Sequence, residues 1–348
     1  MHPKNILFLM ILLALTACRQ SGNTNDSQPE TQTQNTKRQV ADTIYPAERV
    51  AHDTTLTYAL YVPSSYHKKG DRPVLLFFDS HGAGIRPVRL YRDLAEQYGY
   101  ILMGSNDSRN GIPMMQADLM ARELCREAMA RFGAKSGELA LCGQSGGAKV
   151  ALISGARNPD VSTVIYCGAA EAIQPNHPLA LVGFAGRRDM NYADMVQFNR
   201  SWDGTDMTHY LIEWPGPHEW PPVPAFVDAF MFLATGQIER YEQKQPTITE
   251  EQLQTEQAQK MKYYQAFQDK PLDWWKKEVA QLNAQQGTDP MYERLLGFIS
   301  LACYSYTSRA IQKNDRATAE RILAIYEVAD PDNPDIDMLR GELEKQKQ

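Results

Sequence analysis

Leu139-Ala140-Leu141-Cys142-Gly143-Gln144-Ser145-Gly146-Gly147-Ala148-Lys149-Val150-Ala151-Leu152-Ile153 decides the reading of this chain. The first four residues are an apolar run of strand length, and the last six continue as a helix. Between them Ser145 stands in the pattern G-x-S-x-G. That pattern is common by chance, but a strand before it and a helix after it make it a sharp strand–turn–helix elbow. The turn needs small residues at 143 and 147. It holds the serine in a strained conformation with its hydroxyl exposed at the end of a sheet, which makes Ser145 a candidate nucleophile. The bland alternative is a Gly/Ser-rich turn.

A serine hydroxyl is a poor nucleophile at neutral pH, so it needs a base in hydrogen-bond reach and an acid to orient that base. Three histidines follow Ser145. His218 lies in Gly216-Pro217-His218-Glu219-Trp220, just past the last expected strand, where the active sites of open sheets gather. His209 sits near the start of that strand, at the wrong end, and His177 lies in an earlier loop. His218 is therefore the expected base. For the acid, Asp189 directly follows the penultimate strand, in Gly186-Arg187-Arg188-Asp189-Met190-Asn191. Its competing reading is a helix N-cap. Asp194 lies a turn later, and Asp203 and Asp206 fall before the last strand. Acyl transfer also needs two preorganised N–H donors for the oxyanion. Gly146 is one candidate. The second is expected in Asp79-Ser80-His81-Gly82-Ala83-Gly84, with Ala83 preferred over Gly82. His81 is read as shaping that loop by hydrogen bonds.

Around the elbow, strands and helices alternate. Strands are expected over 56–62, 73–78, 100–104, 138–142, 163–167, 179–184 and 210–214. Helices are expected over 88–98, 114–131, 146–156, 192–201 and 223–234. This alternation predicts an α/β fold with a mostly parallel sheet and helices on both faces. Trp202, Trp214 and Trp220 are placed around the mouth as candidate pocket lining. Cys142 and Cys167 end neighbouring strands and read as free buried thiols, because paired strands seldom give disulfide geometry.

These residues together resemble the α/β-hydrolase superfamily. Within it the chain looks nearest to the polyhydroxybutyrate-depolymerase and feruloyl-esterase-like group. The likeness rests on Tyr61-Val62-Pro63, His81-Gly82-Ala83-Gly84, the elbow, Asp189 and Pro217-His218-Glu219-Trp220-Pro221-Pro222. It covers residues 50 to 236. Two departures stand out: Asp79-Ser80 replaces the apolar pair that usually precedes His-Gly, and the usual valine-proline turn after the acid is missing. The resemblance implies a serine hydrolase of esterase type that needs no cofactor or metal. Its substrate would be a small-molecule, polymer or glycan ester. A serine peptidase, or a non-catalytic binding lipoprotein on the same fold, is the alternative.

After Gly236 the texture changes to Gln, Glu, Lys and Ala, without β-branched runs. Helices are expected over 248–267, 272–284, 290–304, 305–313, 315–329 and 334–346, with a break at Asp330-Pro331-Asp332-Asn333-Pro334. One helix–break–helix unit resembles a tetratricopeptide repeat. The expected organisation is a domain over 45–240 and a small all-α domain over 241–348. The latter would dock a protein partner or cover the active-site mouth.

The amino-terminal end is different in kind. Lys4 precedes an apolar run over 6–15, which is too short to span a bilayer comfortably and has the length of a signal-peptide core. Leu15-Thr16-Ala17-Cys18 resembles the lipobox of bacterial lipoproteins, implying a signal peptide over 1–17 and lipidation of Cys18. Residues 18–44 are too polar to fold and read as a tether. The chain is thus expected in the bacterial cell envelope, lipid-anchored and extracytoplasmic. A net charge of -6 without a basic stripe argues against nucleic acid as a partner. Five cysteines without a C-x-x-C pair or a Cys/His cluster suggest no metal site.

Overall fold

The structure, a computed structural model, describes residues 42–67, 73–238 and 248–346. The proposed signal peptide, Cys18 and nearly all of the tether lie outside the described residues. So does most of the linker in which the boundary near 240 would fall.

Among the described residues, eight strands form one sheet in the order β1-β2-β4-β3-β5-β6-β7-β8. They are β1 (Ile44–Arg49), β2 (Thr57–Tyr61), β3 (Val74–Phe78), β4 (Ile101–Ser105), β5 (Leu139–Gln144), β6 (Val161–Cys167), β7 (Ala180–Gly186) and β8 (Thr208–Trp214). β2 runs antiparallel to both neighbours, and from β4 through β8 every pairing is parallel. With the elbow at the carboxyl end of β5, this is an α/β-hydrolase fold. The central strands β3 and β5 are buried throughout. That is why they read as continuous apolar runs rather than alternating ones.

The helices cover the two faces. On one face α3 (Met114–Phe132), α4 (Gly146–Arg157) and α5 (Tyr192–Arg200) bury Leu124, Ala151 and Val196 against the sheet. On the other face α1 (Ile85–Leu90), α2 (Arg92–Tyr98) and α6 (Val223–Thr235) bury Val88, Leu94 and Phe226. The single helix expected over 88–98 is broken at Tyr91, whose ring stacks on Phe226 at 3.8 Å and whose hydroxyl donates to the Pro221 carbonyl at 2.8 Å. The tertiary anchor overrides local helical continuity. Strand β1 was not foreseen from the sequence. Its burial pattern is mixed rather than alternating, and its register shifts between Tyr45 and Glu48.

Five more helices follow: α7 (Glu250–Asp269), α8 (Leu272–Gln285), α9 (Pro290–Gln312), α10 (Arg316–Ala329) and α11 (Asp335–Lys345). They pack around Trp275, Ile299, Leu323 and Leu339. The polar run Ser305-Tyr306-Thr307-Ser308 does not split α9 as expected. Thr307 is fully buried and Tyr306 packs edge-on against Phe267, so tertiary contacts carry the helix through. The expected break before α11 is present, with Asp330 accepting from Ser300 and Asn333 at 2.7 and 2.8 Å. The described residues form one compact unit, with Met190 of the sheet part packed against the core of the helical segment. No helix among the described residues is long and apolar enough to cross a membrane.

Candidate active site

Ser145 occupies the elbow with φ 56° and ψ −122°, one of only a few non-glycine residues with positive φ among the described residues. Holding it there costs on the order of 1–3 kcal/mol, a strain typical of functional sites. Close backbone approach enforces the turn. A Cβ on Gly147 would lie 1.9 Å from the Phe78 carbonyl oxygen, and one on Gly143 would lie 2.0 Å from the Gly147 carbonyl oxygen. Strand β3, the elbow and α4 are thus locked together, and Ser145 Oγ faces the cavity beyond the sheet.

His218 Nε2 lies 2.8 Å from Ser145 Oγ, and its Nδ1 lies 2.9 Å from both Asp189 oxygens. Asp189 is 1% exposed, so its carboxylate faces the imidazole with almost no water. Its Oδ1 also accepts from the Asn191 amide at 2.8 Å, and the Asp189 carbonyl accepts from the Tyr192 amide. Asp189 is thus not the N-cap of α5, a position held by Asn191; its carboxylate bonds the amide of that cap residue and faces the His218 imidazole. Gly168 sits against the pair with φ 66°. A Cβ there would be 2.9 Å from Asp189 Oδ2 and 3.1 Å from His218 Nδ1, so both space and backbone conformation call for glycine.

The competing candidates lie elsewhere. His209 contacts Asn199 and Asp203. His177 and Trp202 border a hollow at the starts of β6, β7 and β8, the edge opposite the relay. Trp202 is therefore no part of the mouth. Trp214 is buried beneath Gly216. Asp194 faces Lys260 at 3.7 Å. Of the three tryptophans only Trp220 lines the cavity at Ser145.

Asp79, which departs from the family pattern, has no role legible in the sequence. It is buried, accepting from Trp220 Nε1 at 2.8 Å and from the His81 amide at 2.9 Å. It thereby ties the loop after β3 to the loop carrying His218. Within that first loop the His81 and Gly82 amides are both committed to Asp79, through its carboxylate and its carbonyl. Among the described residues the amides of Ser80, Ala83 and Gly84 have no such partner. Ser80 lines the cavity at Ser145, whereas Ala83, preferred from the sequence, does not. His81 contacts the Ser80 hydroxyl at 3.1 Å and is otherwise largely exposed. The Gly146 amide opens α4, where first-turn donors lack intrahelical partners and the helix dipole favours negative charge. The Asn110 carboxamide stands directly over Gly146, its oxygen 1.9 Å from where a Cβ would be.

The cavity has a volume of about 490 Å³ and two walls. The sheet part contributes Arg86, Arg109, His218 and Trp220, and the helical segment contributes Leu301, Tyr304, Tyr326 and Met338. Arg86 and Arg109 make no ion pair among the described residues. Cys125, Cys142, Cys167 and Cys303 are free and buried, and burial holds the Cys142 thiol well above its usual range. Among the described residues no group of three or more His, Cys, Asp and Glu side chains gathers as a metal site would.

No family model matches the sequence, and no curated protein matches it. Solved structures resemble the chain at low identity. A hyperthermophilic esterase from the archaeon Pyrobaculum calidifontis is 9% identical at a TM-score of 0.45, covering 57% of this chain and 87% of its own. An S-formylglutathione hydrolase from Staphylococcus aureus is 12% identical at 0.44, covering 55% and 96%. A dienelactone hydrolase from Anabaena variabilis is 16% identical at 0.43, covering 55% and 95%.

Proposed function

We propose that this chain is a carboxylic ester hydrolase working through an acyl-enzyme on Ser145. The observation that carries the reading is the continuous relay from Ser145 Oγ through His218 to a buried Asp189, at 2.8 and 2.9 Å, on a serine held at positive φ. Ser145 Oγ attacks the ester carbonyl carbon while its proton passes to His218 Nε2. Negative charge moves to the carbonyl oxygen, which the Gly146 amide receives together with an amide of the loop after β3. In that loop the amides of Ser80, Ala83 and Gly84 donate to no acceptor among the described residues, and Ser80 lines the cavity. The tetrahedral intermediate collapses as His218 returns the proton to the leaving alkoxide. Water then repeats the sequence on the acyl-enzyme. Asp189 stays ionised, fixing the imidazole tautomer and supporting the imidazolium.

The chain would act outside the cytoplasm on a lipid anchor at Cys18, with the helical segment as wall of the active-site mouth or as a partner site. The motif over 15–18 supports the anchor, and release of a Cys18→Ser variant from the membrane fraction is its test. For the chemistry, the test is covalent labelling by a fluorophosphonate alongside p-nitrophenyl esters and chromogenic peptides. Wild-type protein should label and cleave esters, and Ser145→Ala should do neither. Wild-type protein that never labels sinks the mechanism. Labelling with peptide cleavage alone replaces the ester reading with a peptidase.

A further inference from the structure

The loop carrying Asp189 is held from two sides. On the sheet side its amides are bound: Arg187 N–H donates to the Trp214 carbonyl and Arg188 N–H to the Gly216 carbonyl, both at 2.9 Å. On the other side its carbonyls are bound by two cations from the helical segment. Arg294 of α9 donates from Nη1 to the Arg187 carbonyl at 2.7 Å, and Lys260 of α7 donates from Nζ to the Met190 carbonyl at 2.9 Å. These carbonyls bracket Asp189. Arg294 is itself held by Glu256, with Nε and Nη2 on Oε2 at 2.9 and 2.7 Å, and its guanidinium lies 5.0 Å from the Tyr192 ring centre. Lys260 Nζ lies 3.5 Å from the other Glu256 oxygen and 3.7 Å from Asp194. Arg294, Glu256 and Lys260 are all buried.

Three charges buried together are poor evidence for stability, because apolar side chains of similar volume often serve as well. Apolar side chains could not donate hydrogen bonds to the two carbonyls beside the acid. We infer that Arg294 and Lys260 are positioning residues that fix the Asp189 carboxylate on His218, making the helical segment part of the catalytic apparatus. The inference rests on the Ser145 reading for its consequence and on the hydrogen bonds above for its geometry.

The test compares wild type with Arg294→Met, Arg294→Lys and Lys260→Met, each also in an Asp189→Asn background. Arg294→Met should lower kcat by about tenfold to a hundredfold with little change in KM, the scale of a misplacement near 1 Å. Arg294→Lys should recover part of that loss, and Lys260→Met should show a smaller loss of the same kind. In the Asp189→Asn background the extra loss should shrink to about twofold or less, because groups acting through one another do not add. A second readout needs no turnover. The downfield imidazole N–H resonance of His218, which reports its bond to Asp189, should weaken or broaden in Arg294→Met. If Arg294→Met fails to fold, Lys260→Met leaves the Arg294–Glu256 pair intact and carries the same comparison. Two results overturn the inference. One is lowered thermal stability with kcat and the resonance unchanged. The other is a full multiplicative loss in the Asp189→Asn background. A chain that cleaves no ester yet loses the resonance in Arg294→Met keeps the clamp and loses only the esterase reading.

Discussion

Along the carboxyl edge of the sheet, backbone places the functional groups. Ser145 sits on a turn with no room for a Cβ at 143 or 147, Asp189 follows β7 directly, and His218 follows β8. The helical segment reaches the same site with side chains. Arg294 and Lys260 extend to backbone carbonyls, and Tyr304 and Leu301 line the far wall of the cavity. Changes at the sheet edge should therefore strike the chemistry directly. Changes in the helices should tune it.

The largest expected effects fall on the relay. His218→Ala should reduce ester turnover nearly as much as loss of Ser145, on the order of a millionfold, because nucleophile and base act as one unit. Asp189→Asn should cost on the order of ten-thousandfold through the wrong imidazole tautomer. Steady-state kinetics on a p-nitrophenyl ester measure both. An Asp189→Asn enzyme of full activity would move the acid elsewhere and erase the contrast between the two regions.

Gly168→Ala comes next. The new methyl would meet Asp189 Oδ2 at 2.9 Å and His218 Nδ1 at 3.1 Å, at a position whose φ is 66°. It should displace the acid–base pair and cost on the order of a hundredfold in kcat. Activity close to wild type at that position would show that the relay tolerates movement even where the backbone leaves no room for a Cβ.

The sheet edge was largely legible in the sequence because its signals are local. A strand, a tight turn and a helix lie within fifteen consecutive residues, and the candidate acid Asp189 and candidate base His218 follow strands. The contacts that tie loops to one another were not legible. Asp79 and Trp220 are far apart in sequence and meet because β3 lies deep in the sheet and Tyr91 holds the chain beyond His218 by its bond to the Pro221 carbonyl. Asn110 reaches Gly146 through a loop whose neighbour Arg109 pairs with His81 in an isolated bridge. The preference for Ala83 assumed that the small residues of its loop face the cavity; Asp79 instead folds that loop so that Ser80 does. For Arg294 and Lys260 the only available signal was a cation on an apolar helix face, which does not name its target.

Trp220→Phe tests the loop-to-loop tie. It removes the Nε1–H donor 2.8 Å from Asp79 Oδ2 while keeping most of the aromatic packing on Phe77 and Tyr91. A buried carboxylate oxygen left without its donor should cost about 1–3 kcal/mol. Urea unfolding should show a lower midpoint with an unchanged slope. Turnover should fall less than in Gly168→Ala, since the relay itself is untouched. A midpoint equal to wild type would mean that water replaces the indole and that the two loops are held by packing alone.

The smallest expected effect belongs to the far wall. Tyr304 is half-buried on α9 and lines the cavity across from the relay, beside the exposed Leu301. Removing its ring with Tyr304→Ala deletes apolar contact surface without touching Ser145, His218 or Asp189. An ester long enough to cross the cavity should lose binding free energy of about 1–2 kcal/mol, the scale for part of an aromatic side chain. The ratio of kcat/KM for a long-chain ester to that for the acetate should then fall by roughly fivefold to thirtyfold, since 1.4 kcal/mol is tenfold. Most of the change should lie in KM, the mark of contact made equally in ground and transition states. An equal loss on both esters, carried in kcat, would instead make Tyr304 a support for the acid loop, joining it to Arg294 and Lys260. A ratio that does not move would mean that substrates stay on the sheet side of the cavity, leaving the helical segment with the clamp alone.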